Sequence, residues 1–161
     1  MLIGIISDTH DHVDNVRKAV DIFQKRGIKQ VLHAGDTVSP SVVNLFAGLD
    51  LGIVYGNNDG ETGRIAKKVD QIGGNLGGEV LVYGCEEGDI AVYHGTIPTF
   101  LSALVRCGDY RVVITGHTHQ VVDRTEGGTR VLNPGTAHGF GGPATAMIYD
   151  TSLDQVELIR L

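Results

Sequence analysis

The chain has 161 residues, 42% hydrophobic and 20% charged, with a formal net charge of −6; a chain of this size buries about 68–70% of its unfolded surface and needs no disulfide or structural metal merely to fold. Its two cysteines share no CxxC spacing and read as reduced thiols, and its acidic balance excludes nonspecific binding to long nucleic acid or an anionic membrane, both of which need a basic face. The excess lies in 23 glycines, about twice the usual 7%, and in 7 histidines.

Leu2 to Ser7 is a short apolar run that meets Asp8 directly, which predicts a strand buried on both faces rather than a signal peptide. From Val13 the apolar residues Val16, Ala19, Val20 and Phe23 recur at helical spacing, and Gly27 supplies a left-handed stop. Gln30 to Ala34 predicts a second strand. Ser39-Pro40 reads as an N-cap with proline at the first helical position, opening a helix through Phe46, and Leu51 to Tyr55 predicts a third strand. This β-α-β-α-β alternation implies a mainly parallel sheet with helices on its faces.

A helix is expected over Glu61 to Ile72, then a glycine-bracketed loop through Gly78. Glu79 to Tyr83 and Asp89 to His94 predict a hairpin; Pro98 opens a helix ending at Gly108, and Arg111 to Thr115 gives another strand. Val121 to Arg124 with Thr129 to Leu132, and Ala144 to Asp150 with Gln155 to Leu161, predict two more hairpins. The expected object is an α/β fold, a two-sheet sandwich flanked by helices, forming one domain over residues 1–161. No apolar run approaches the roughly 18 residues of a membrane span, and a cytoplasmic location is expected.

The histidines and unusual carboxylates fall on this map at strand ends. Asp8-Thr9-His10, Gly35-Asp36 and Gly56-Asn57-Asn58-Asp59 follow the first three strands; His94-Gly95 and Gly116-His117-Thr118-His119 follow two later ones. Ligands of open α/β sheets bind at the carboxyl ends of strands, so these groups are expected to converge on one crevice. Asp8, His10, Asp36, Asn57, His94, His117 and His119 supply carboxylate, carboxamide and imidazole donors with no thiolate, a mixture suited to a borderline-hard divalent ion. Manganese, iron, cobalt, nickel and zinc all meet that description, in preference to calcium. So many donors exceed one tetrahedral ion, but two ions sharing a bridging carboxylate fit, at the roughly 3.5–4 Å spacing of two-metal hydrolases. Asp36 is the candidate bridge. In Asp8-x-His10 and His117-x-His119 an extended backbone would aim both members of each pair at the site, and the adjacent glycines would let backbone approach without a Cβ in the way.

The ordered series Asp8-x-His10, Gly35-Asp36, Gly56-Asn57-x-Asp59, His94-Gly95 and Gly116-His117-x-His119 resembles the calcineurin-like metallophosphoesterase superfamily. The short length, Ser7-Asp8-Thr9-His10 and the late Asn133-Pro134-Gly135 resemble its small YfcE-like phosphodiesterase branch. The resemblance implies a four-layer αββα fold in which Asp8, His10, Asp36 and His119 hold one ion and Asp36, Asn57, His94 and His117 the other. It implies hydrolysis of a small or nucleotide-like phosphodiester by in-line attack of a hydroxide bridging the two ions.

Two positions depart from the superfamily pattern: Asn58 stands where a histidine is common, and Thr96 follows His94-Gly95 where the small branch frequently has a further histidine. A carboxamide cannot act as a general acid. Asn58 is therefore assigned, with Asn57, to phosphoryl oxygens; His12 and His138 read first as surface residues of polar or glycine-rich loops, with supply of the leaving-group proton as the alternative role for either. Asp59 is expected to orient Asn57 or a ligand imidazole, His33 to be a packed strand residue, Asn133-Pro134-Gly135 either to form a simple tight turn or to brace the site, and Gly139 to Gly142 to form a loop rather than a phosphate cradle. A phosphomonoesterase, a non-catalytic interaction module on the same fold, and a homo-oligomeric assembly stay open at this level.

Overall fold

The computed structural model describes all 161 residues. Its elements are β1 (Leu2–Ile6), α1 (Val13–Lys25), β2 (Gln30–His33), α2 (Pro40–Val43), β3 (Asp50–Ile53), α3 (Thr62–Gln71), β4 (Asn75–Leu76), β5 (Val80–Tyr83), β6 (Ile90–Tyr93), α4 (Pro98–Arg106), β7 (Val112–Ile114), β8 (Val121–Glu126), β9 (Thr129–Pro134), β10 (Thr145–Asp150) and β11 (Gln155–Arg160). One sheet runs β11-β10-β1-β2-β3-β4 and the other β5-β6-β7-β9-β8. β1 through β4 are parallel, as are β6, β7 and β9, so both sheets present strand carboxyl ends.

Each apolar strand serves two cores. In β1, Ile3 and Ile5 join Leu32, Val92, Ile114 and Leu132 between the sheets, whereas Ile6 turns to the cluster that α1, α2 and α3 cover. Gly4 faces that helical side, where an added Cβ would lie 2.9 Å from the Phe23 ring, so the absent side chain is what lets α1 lie close on the sheet. A smaller cluster of Ala91, Val105, Val113 and Val131 seats α4 on the second sheet. The order is helices, sheet, sheet, helix, as expected, and Cys85 and Cys107 are unpaired.

The structure differs from the sequence expectation in two elements. The helix expected from Pro40 to Phe46 makes one α turn and then tightens into a 3-10 turn over Asn44–Phe46, where the Ala47 N–H bonds to the Asn44 carbonyl; such tightening is usual where a short helix ends. Asn75–Leu76, expected as loop, adds a short strand to β3 by pairing Gly52 with Asn75 and Ile53 with Leu76. Two residues carry no periodicity, so only the neighbouring strand identifies them.

His33 is fully buried at the end of β2. Its Nδ1 accepts from the Gly35 N–H at 3.1 Å and its Nε2 lies 3.2 Å from the Thr9 hydroxyl, so the ring is neutral with Nε2–H donating. Burial pushes its pKa down from 6.5 to about 4. Between those values the unfolded chain binds a proton that the folded one refuses. Stability is therefore retained above about pH 6.5 and falls as pH drops toward 4, by about 3 kcal/mol in all. Thermal unfolding between pH 7 and 4.5 should fall less steeply for His33→Gln than for the natural chain; equal steepness would assign the acid sensitivity elsewhere.

Candidate metal and phosphoester site

The polar strand-end residues meet at one rim of the sandwich. Asp8 follows β1 and is fully buried; Asp36 follows β2, and His94 follows β6 on the opposite sheet. Asp8, His10 and His119 each offer a donor atom within 4.8 Å of the others, and so do Asp8, Asp36 and His94. The Asp36 Oδ2 stands between the two sets, 3.6 Å from the His10 Nε2 and 3.4 Å from the His94 Nε2. The His119 Nε2 approaches the Asp8 Oδ1 to 3.1 Å. Asn57 and His117 reach the same place through His94: the Asn57 Oδ1 is 3.2 Å from the His94 Nε2, and the His117 and His94 rings are 5.2 Å apart.

Backbone conformation corrects the expectation for the paired residues. Asp8, His10, Asp36, His117 and His119 all adopt positive φ, between 39° and 66°. The two i, i+2 pairs are thus aimed by left-handed turns and not by extended-strand alternation. Non-glycine residues pay for this region in steric strain, which persists only where surroundings over-determine it. Here the surroundings are specific: the Asp8 N–H bonds to the Gly35 carbonyl, the His10 N–H to the Asp36 carbonyl, and the His138 N–H to the Asp8 carbonyl.

The glycines beside the motifs make this convergence sterically feasible. A Cβ on Gly56 would strike the Asp36 carboxylate, and one on Gly116 would strike the Ser7 hydroxyl and the Asp8 carboxylate. Ser7 donates to the Asp8 Oδ2 at 2.6 Å and the His117 N–H donates to the same oxygen at 3.1 Å.

Electrostatics marks the centre as a place for positive charge. Burial raises the Asp8 carboxyl above its ordinary range, although the Ser7 hydroxyl and the imidazoles of His94 and His119 oppose it. For Asp36 burial acts upward too, but hydrogen bonds from His94 and Asn58 outweigh it and hold the carboxyl well below the usual range. Burial would lower His94, yet its contact with Asp36 prevails and raises it. Its Nδ1 is 2.7 Å from the Ala34 carbonyl, so Nδ1–H donates there and Nε2 meets two oxygens, requiring a proton or a cation between them. The Asp8 Oδ1 and the His10 Nε2 are buried without any hydrogen-bond partner, a rarity that a shared cation would remove. The residues therefore fit divalent metal.

Supporting residues divide differently from expectation. Asp59 makes no hydrogen bond to Asn57 or to an imidazole; its carboxylate accepts from the N–H groups of Asp36, Val38 and Gly56 and from the Thr37 hydroxyl, and so shapes the loop that carries Asp36. Asn58 spends its N–H and one amide hydrogen on the two oxygens of Asp36, at 2.8 and 2.7 Å. Of the two readings of Asn133, the bracing one fits its contacts: it donates to the Gly116 carbonyl at 2.7 Å and the Thr118 hydroxyl at 3.2 Å, in the histidine-bearing loop. His12 caps α1 through the Asn15 N–H. His138 stands at the site, 5.8 Å from the His10 ring, where burial and the neighbouring histidines lower its pKa.

Residues 1–154 match the sequence profile of the calcineurin-like phosphoesterase superfamily domain. The chain is 37% identical to a phosphodiesterase of Methanocaldococcus jannaschii over 165 aligned positions, covering 100% of this chain and 99% of that protein. It is similar to the solved structure of an archaeal phosphodiesterase, with a TM-score of 0.95 at 35% identity and full coverage of both chains. A phosphoesterase of E. coli, YfcE, shares the fold at a TM-score of 0.74 and 18% identity, with 99% of this chain and 98% of that one aligned.

Proposed function

Because this chain belongs to the calcineurin-like phosphoesterase superfamily, we propose that it is a metal-dependent phosphodiesterase of small or nucleotide-like diesters, with Asp8, His10, Asp36 and His119 holding one divalent ion and Asp36, Asn57, His94 and His117 the other. The observation that carries this is the Asp36 Oδ2 interposed between His10 and His94 at 3.6 and 3.4 Å, beside the unpartnered atoms of Asp8 and His10. Two ions bound there would supply a water of lowered pKa and neutralise charge on the phosphoryl oxygens. The donor set is oxygen and imidazole without sulfur, which favours manganese over structural zinc.

The residues of the chain then have separable tasks. His94 is locked by the Ala34 carbonyl so that its Nε2 faces inward. Asn58 steadies both oxygens of Asp36 and keeps its second amide hydrogen for a phosphoryl oxygen, next to Asn57. Water adds to phosphorus in line and gives up a proton, the P–O bond to the leaving oxygen breaks, and that oxygen takes up a proton to depart as the alcohol; fixed donors facing the phosphoryl oxygens stabilise the charge that develops there. The unpaired Cys85 and Cys107 suit a reducing compartment, and we place this one-domain enzyme in the cytoplasm.

Hydrolysis of an aryl phosphodiester should fall to background after chelation and return on addition of Mn²⁺; indifference to both treatments would overturn the proposal. Asn58→Ala should weaken metal affinity by about 10–100-fold, the usual cost of losing a partner that orients a ligand. Isothermal titration with Mn²⁺ checks this, and unchanged affinity would leave Asn58 with the substrate alone.

A further inference from the structure

One cavity of about 260 Å³ opens on the proposed metal site, and it is lined by His10, His119, His138 and Phe140. Its two ends differ in chemistry. His10 and His119 lie at the carboxylates, whereas Phe140 is 73% exposed, the most exposed of the large apolar residues. Scattered apolar residues at a surface need no explanation. This one is held in register with the site: the His138 N–H bonds to the Asp8 carbonyl, and the Asn15 amide donates to the Ala137 carbonyl at 2.8 Å. The Phe140 ring stands 6.0 Å from His138, tilted by 43°, between Gly139 and Gly141, both at positive φ.

On the reading of this site as a phosphodiesterase centre, we propose that Phe140, with His138 behind it, forms a subsite for a planar aromatic group, a nucleobase or aryl ring, carried by the phosphate ester. A phosphate at His10 and His119 places the ester's organic arm in this cavity, and an exposed aromatic face accepts any base through its π surface without reading hydrogen-bond edges. The subsite thus selects for aromatic over purely aliphatic esters and is tolerant among bases.

The chain contains no tryptophan, so Phe140→Trp creates a single fluorescent reporter at the subsite, and the exposure of Phe140 makes the substitution structurally mild. Adenosine 5′-monophosphate should quench this reporter and bind on the order of tenfold more tightly than ribose 5-phosphate. Phe140→Ala should lower kcat/KM for an aryl diester about tenfold more than for a dialkyl diester, through KM. Equal affinity for the two phosphates, or equal loss on the two diesters, overturns the subsite. Absence of turnover of either diester by the natural chain, with selective quenching retained, would overturn the phosphodiesterase reading while supporting the subsite.

Discussion

Asp36→Asn is expected to cut diester hydrolysis by more than about 100-fold, exceeding the range for residues that only orient a ligand, and to lower the metal content of the purified protein at both positions together. Asp36 is 1% exposed, and its hydrogen bonds from His94 and Asn58 keep it ionised through the whole working pH range. Replacement by an amide removes a full negative charge that faces His10 and His94 at once, and presents an N–H₂ that donates where a donor is already provided by Asn58. Attraction of this kind is strong where water is excluded and weak where it is not, so the loss should be far larger than for an exposed carboxylate. His119→Ala supplies the contrast, because His119 belongs with Asp8 and His10 only. Metal analysis by mass spectrometry should show one ion weakened in His119→Ala and both in Asp36→Asn. Full occupancy and activity in Asp36→Asn would remove the shared role.

Gly116→Ala should lose most of the activity although it deletes no donor atom. Gly116 is not in a left-handed conformation, so the cost is steric. Its new methyl would meet the Ser7 hydroxyl and lie 2.7 Å from the Asp8 Oδ2, the oxygen that Ser7 and the His117 N–H both hold. Either the Asp8 carboxylate rotates away or the histidine loop lifts from it, and misplacement of about 1 Å costs on the order of 100-fold in rate. Overpacking of this kind also costs about 1–3 kcal/mol of stability. Gly63→Ala, in α3 with open space at its Cβ, should instead raise stability by about 1 kcal/mol. Urea denaturation of the two variants beside the natural chain checks the pair, and a Gly116→Ala protein with natural stability and turnover would show that the loop yields freely.

The residues that mark the site were legible because strand ends, glycine and ligand-type side chains coincide in the sequence: Asp8, Asp36, His94 and His117 each follow an apolar run within a few residues. How they are aimed was not legible. Extended alternation and a left-handed turn place the same letters in the same order, and the choice between them depends on contacts such as the Gly35 carbonyl with the Asp8 N–H. Asp59 looked like a partner for its neighbour Asn57, yet it organises a loop 21 to 23 residues earlier. Asn58 likewise reaches back 22 residues to Asp36. His138 carried no local signal beyond its residue type, since its place beside His10 comes from its N–H bonding to the Asp8 carbonyl.

The sequence by itself determined the alternation of buried strands and amphipathic helices, the ligand chemistry, and the side of the sheets on which it gathers, because burial periodicity and strand direction are local properties of the chain. Only the tertiary structure decided that the β10–β11 hairpin joins the first sheet beside β1, with Leu2 opposite Asp150. It alone decided that the loop after β9 delivers His138 and Phe140 to the Asp8 turn. Those placements rest on backbone hydrogen bonds and packing between segments more than a hundred residues apart, whose partners are chosen by the closing of the two sheets and not by any neighbour along the chain.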